Sequence, residues 1–162
     1  MGNGLRKLLF LLLIVILGIV QLTILDYFKI FTVKPDFLLI NMVLASLAFE
    51  FRWAFVLSVF AGVFKDAFAV AGFGLNTLLF GLWSFLIVRL SKEITLDNNV
   101  TRAVLIFIVT AVHNTITGLI FIYLGNLIPL GIFLRIVAIE SIYTAAVFWL
   151  VFKFSPLKTV LI

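Results

Sequence analysis

This sequence predicts an all-α integral membrane protein, a bundle of six transmembrane helices forming one domain over residues 1–162. Three observations carry that prediction. Hydrophobic residues make up 65% of the 162, charged residues only 12%, and 19 residues are phenylalanine; a soluble domain is nearer a quarter charged. Mean hydropathy is +1.34, and no soluble fold of this size has interior enough for that much apolar surface, so lipid must be the solvent. Charged and turn-forming residues then cut the apolar sequence into six runs joined by short loops.

Arg6 and Lys7 lead into the first run, about residues 8–25. Basic residues before an apolar core also open a signal peptide. This run is longer than a usual signal core and no small-x-small cleavage site follows, so it reads as a retained helix. Pro35 and Asp36 open the second helix, about 36–51, the proline near a helix start and the acid suited to its dipole. Its uncharged core, 37–49, is short against about 30 Å of hydrocarbon. That points to a helix shielded by neighbours or to a re-entrant segment. Glu50 and Arg52 demand a tight hairpin, because one helix through both would bury two charges at mid-membrane. The third helix covers about 52–71 and is broken by Gly72 and Gly74; the fourth covers about 75–90. A hydrophilic loop with Lys92, Glu93, Asp97 and two asparagines precedes the fifth, about 102–124. Gly125, Asn126 and Pro129 make the next turn, and the sixth covers about 132–153, before a tail with Pro156 and Lys158.

Lysines and arginines set the orientation. With the N-terminus inside, Arg6, Lys7, Arg52, Arg89, Lys92, Arg102, Lys153 and Lys158 face inward, against Lys29, Lys34, Arg135 and an outward-snorkelling Lys65 on the other side. Eight against four predicts both termini in the cytoplasm.

Lys65 and Asp66 stand side by side in an apolar stretch, where an unpartnered charge costs about 3 kcal/mol or more. Five uncharged residues separate Asp66 from Gly72, which argues against the pair marking a helix end. Counting about 1.5 Å per residue from the inner end of each helix puts Asp66, Asn76 and Glu140 at about 20 Å and His113 and Asn114 at about 17 Å. Five polar groups from four helices thus share one layer with Lys65 beside it. Leaving any of them against lipid is costly, so an internal hydrogen-bonded cluster under an outward cavity is expected. More local readings stand beside it. Lys65 snorkels outward while Asp66 caps the turn near Gly72 or bonds a neighbouring helix; Asp66 takes a ligand or proton role; Asn76 is an N-terminal cap or turn residue; His113 packs between helices; Glu140 bonds Ser141 or Thr144; the phenylalanines contact lipid.

No motif for hydrolysis, nucleotide binding or metal-dependent chemistry is present. His113 is the only histidine and cysteine is absent, so neither disulfides nor a transition-metal site is expected. Ser141 with His113 is the one serine–histidine coincidence at a common depth. No basic patch is long enough for nucleic acid, no inverted repeat suggests a self-sufficient transporter, and no cofactor is implied. Two classes remain: an adaptor within a membrane complex, and a substrate-binding subunit of a larger transporter.

Three stretches resemble a known family. Lys34-Pro-Asp-Phe-Leu-Leu-Ile, then Gly62-Val-Phe-Lys-Asp66, then Gly72-Phe-Gly-Leu-Asn76-Thr-Leu-Leu-Phe-Gly81 are similar to the P-D, G-x-x-x-D and G-x-x-G-x-N pattern of the bacterial rod shape-determining protein MreD family. The last motif is slightly compressed here. The matching positions are Pro35, Asp36, Gly62, Asp66, Gly74 and Asn76. The resemblance implies a non-enzymatic inner-membrane component of the machinery that builds lateral peptidoglycan. Its partners would be MreC directly, with MreB, RodA and a class B penicillin-binding protein in the larger complex. It also implies a fold similar to the substrate-binding components of energy-coupling-factor transporters. Those components often carry an Ala-x-x-x-Ala face on their first helix, and residues 8–25 have no such pair.

Overall fold

The computed structural model describes residues 3–23, 27, 29, 33–69, 72, 74–93 and 98–154, and every regular element among them is helical. α1 is Asn3–Thr23, α2 is Phe37–Ala48, α3 is Phe51–Ala67, α4 is Leu75–Leu90 and α5 is Asn99–Tyr123. The last rod is continuous but composite: α6, Leu130–Arg135, passes through a π-helical turn, Ile136–Glu140, into α7, Ser141–Phe154. These are the six helical rods that hydropathy predicts. Gly4–Thr23, Asn99–Tyr123 and Leu130–Lys153 are long and apolar enough to cross a membrane, while Phe37–Ala48 and Leu75–Leu90 are shorter apolar helices.

α2 is the centre of the bundle. It packs against α1, α3, α4, α5 and α7, and all its residues from Leu38 through Ser46 are buried. Its 12 residues make only about 18 Å of helix. A helix apolar all round belongs inside a protein, so the neighbours shield this one. Phe10 and Ile14 of α1, Leu57 and Ala61 of α3, Phe80 and Ile87 of α4, Ile106 of α5 and Phe148 of α7 complete one core around it. Burial of Phe10 and Ile14 makes α1 a packed member of the bundle. The expected hairpin is present: α2 ends at Ala48 and α3 starts at Phe51. Phe51, Phe55, Phe60, Phe85 and Phe107 remain exposed, as lipid contact requires.

The two ends of the bundle differ. At one end lie the starts of α1 and α3 and the ends of α2, α4 and α7. There Arg6 lies 5.6 Å from the Phe49 ring, Lys7 lies 3.9 Å from Trp53, and Lys153 lies 4.7 Å from Trp149. The opposite end holds Gln21, Asp36, Lys65, Asp66 and Asn76, and is described below.

Several boundaries depart from the hydropathy reading. α1 and α5 start earlier, at Asn3 and Asn99, because a polar first turn is still helix, and the last rod starts at Leu130, where the Pro129 carbonyl accepts the Ile132 and Phe133 N–H groups. Asn98 caps α5 by accepting the Val100 N–H at 3.1 Å. Asp36 is the N-cap of α2 rather than its first residue. α3 ends at Ala67 rather than near residue 71. The chain turns at once, with the Phe68 N–H donating to the Lys65 carbonyl at 3.4 Å and the Ala69 N–H to the Asp66 carbonyl at 3.0 Å. Lys65 and Asp66 therefore do mark a helix end, contrary to the expectation. Residues 24, 25, 70 and 71, Asp97, Pro156 and Lys158 lie outside the described residues.

Candidate functional site

Two aspartates build the polar layer, each at the N-terminus of a short helix. An N-terminus leaves its first N–H groups without partners inside the helix and carries a partial positive charge, so a carboxylate there satisfies both needs.

Asp36 serves α2. Its Oδ1 accepts the Leu39 N–H at 3.0 Å and the Gln21 Nε2 donor of α1 at 3.2 Å. Its Oδ2 pairs with Lys65 Nζ of α3 at 2.5 Å. Its own N–H donates to Thr144 Oγ1 of α7 at 3.1 Å. Gln21 Oε1 accepts the Leu38 N–H at 3.2 Å, and Lys34 Nζ donates to the Gln21 carbonyl at 2.9 Å. Its carboxyl group thus joins three helices, and its backbone N–H adds a fourth. Lys65 does not snorkel outward; a buried anion within reach is a better partner than distant headgroups.

Asp66 serves α4. Oδ1 accepts both the Asn76 N–H at 3.0 Å and Asn76 Nδ2 at 2.8 Å, and Oδ2 accepts the Thr77 N–H at 2.8 Å and the Thr77 hydroxyl at 2.6 Å. Asp66 therefore caps the neighbouring helix across the turn, one of its expected roles. Asn76 is not the cap: Gly74 holds that position with φ +92°, and Asn76 lies in the first turn. Gly62 stands one helical turn before Asp66 on the same face of α3. A Cβ on Gly62 would sit 2.5 Å from Thr77 Cα and 2.9 Å from the Asn76 carbonyl oxygen. The G-x-x-x-D spacing thus has a direct reading. The glycine lets two backbones touch, and the aspartate one turn later caps the helix it touches.

α5 completes the layer. His113 Nε2 lies 3.2 Å from Asn76 Oδ1, and its ring lies 5.4 Å from that of Phe80. His113 is within electrostatic reach of Lys65, Asp36 and Asp66. Glu140, at the end of the π turn, faces Asn114 and the Asp36–Lys65 pair. Among the described residues, His113 Nδ1 and Thr117 Oγ1 are buried without hydrogen-bond partners. The structure thus places two networks side by side, Asp36–Lys65 and Asp66–Asn76–His113, with Asn114 and Glu140 beside them. A cavity of about 210 Å³ opens next to them, lined in part by Gln21, Lys34, Lys65 and Asn76.

Other expected contacts do not form. Ser141 Oγ donates to the Val137 carbonyl at 2.6 Å and Thr144 Oγ1 accepts from Asp36, so neither bond runs to Glu140. Ser141 makes no dyad with His113, whose Nε2 is held by Asn76. Among the described residues no group of His, Cys, Asp and Glu side chains is arranged to hold a metal ion.

Gln21 and Thr77 were not singled out by the sequence reading, and Thr144 was expected to bond Glu140 rather than Asp36. Gln21 left a trace, as a lone amide in an otherwise apolar run. The π turn left none.

These features define the class: an all-helical membrane protein whose polar interior joins helices to one another. Residues 4–156 match the family model described as rod shape-determining protein MreD, and the chain belongs to that family. Neither the curated proteins nor the solved structures yield a match, so the expected likeness to energy-coupling-factor components finds no support there. The family is one of structural, shape-determining membrane proteins.

Proposed function

We propose that this chain is a non-enzymatic adaptor of the cell-elongation complex in the bacterial inner membrane, crossing it six times with both termini in the cytoplasm. In this reading it binds MreC directly and holds it within a complex with RodA, a class B penicillin-binding protein and MreB, supporting lateral peptidoglycan synthesis. The family match over residues 4–156 carries the proposal. The structure supports an architectural role, because both carboxylates of the polar layer are engaged by helix N-termini, Lys65, Gln21 and Thr77. An apolar groove of about 180 Å³ between α1 and α7, floored by α2, offers a seat for a partner's helix. Helices meet in lipid by such packing rather than by hydrophobic exclusion.

The test is co-purification from native membranes with mass spectrometry of proteins and small molecules, alongside depletion. Recovery of MreC and the elongation machinery, with loss of rod shape on depletion, is the expected result. Recovery of a vitamin and an ATPase module in their place would overturn it.

A further inference from the structure

We propose that the recess between the start of α3 and the end of α4 binds an anionic glycerophospholipid, its phosphate held by Arg89 and Lys92. The recess has a volume of about 270 Å³ and is walled by Phe51, Phe85, Val88, Arg89, Lys92 and Glu93. Arg89 and Lys92 are exposed, and among the described residues no ion pair joins either of them to Glu93. Arg52 adds a third exposed cation in the first turn of α3. Two cations and one carboxylate leave the recess with a single positive charge, the complement of one phosphodiester. The arginine fork suits phosphate oxygens in particular.

What favours a lipid over free phosphate is the surface below the cations. Phe51 packs 5.6 Å from Phe55 and 5.8 Å from Phe85. Phe55, Leu82, Phe85 and Leu86 are all exposed, forming an apolar track on which an acyl chain can lie. Lys7 on Trp53 and Lys153 on Trp149 occupy the same end of the bundle, and such pairs mark headgroup level. Basic recesses between membrane helices on the cytoplasmic side capture anionic headgroups. The inference requires this end to meet a bilayer surface and is independent of the protein partners proposed above.

The test is native mass spectrometry of the delipidated full chain offered equal amounts of phosphatidylglycerol, phosphatidylethanolamine and phosphatidylcholine. Phosphatidylglycerol should be retained several-fold over both others, and excess inorganic phosphate should not displace it. Arg89→Gln with Lys92→Gln should reduce its retention to the phosphatidylcholine level, and Phe85→Ala should lower it partly. Both cations are exposed, so the double variant should melt as the parent does without lipid; phosphatidylglycerol should raise the melting temperature of the parent only. Equal retention of the glycerol and ethanolamine lipids, full retention by the double variant, or displacement by phosphate would each overturn the proposal.

Discussion

Asp36 is 1% exposed, and its ion-pair partner Lys65 is still 22% exposed. Breaking a buried pair by removing one partner costs about 3–5 kcal/mol, because the remaining charge is stranded. Lys65→Ala should therefore destabilise strongly in detergent unfolding, while Lys65→Met with Asp36→Asn should recover most of the loss. A single variant as stable as the parent would refute the ion pair. Asp66 makes a different prediction. Among the described residues no cation lies at hydrogen-bond distance from it, and it caps α4 through two backbone N–H groups. Loss of a cap costs about 0.5–2 kcal/mol, and the buried donors left unpaired add to that. Asp66→Ala should lower stability by about 2 kcal/mol or more and reduce partner assembly. A normal protein level with intact partner binding would count against its architectural role.

Among the elements, the α3–α4 hairpin depends on close backbone contact. Overpacking such a site costs about 1–3 kcal/mol, so Gly62→Ala should shift the melting temperature down. Gly4→Ala is the control, since nothing lies within 4 Å of a Cβ there; if both variants melt alike, the contact at Gly62 is not what holds the hairpin. The lengths of the helices explain where the polar layer falls. α2, α3 and α4 have 12, 17 and 16 residues, while α5 has 25. The layer therefore lies at an end of each short helix and in the middle of α5. Sequence depth placed Asp66, Asn76 and His113 together because a count of residues from a common plane survives modest errors at helix ends. It missed Asp36 as the partner of Lys65, because that pair joins residues 29 apart whose approach depends on how α2 packs against α3.

For the whole molecule, the charge asymmetry predicts topology. The chain has no cysteine, so single substitutions report cleanly. Tyr27→Cys and Asn126→Cys, at one end of the bundle, should react with a membrane-impermeant maleimide from outside intact cells, and Glu50→Cys, at the other end, should not. The reverse pattern would overturn the proposed orientation. The cations and aromatic rings that pair at the end bearing Glu50 suit a membrane–water interface.

By itself the sequence determined the solvent, the number of helical rods, the hairpin at Glu50 and the depth shared by the polar residues. Each of these follows from local hydropathy, or from counting along a helix of constant rise. Its motifs at Pro35–Asp36, Gly62–Asp66 and Gly74–Asn76 also pointed to the family that the match over residues 4–156 establishes. Only the tertiary structure decided that Asp36 binds Lys65, that Asp66 in the last turn of α3 caps α4, and that a 12-residue helix stands at the centre of the bundle. Those outcomes depend on which helices meet and at what distance. That is set by packing over the whole bundle, which no window along the chain contains.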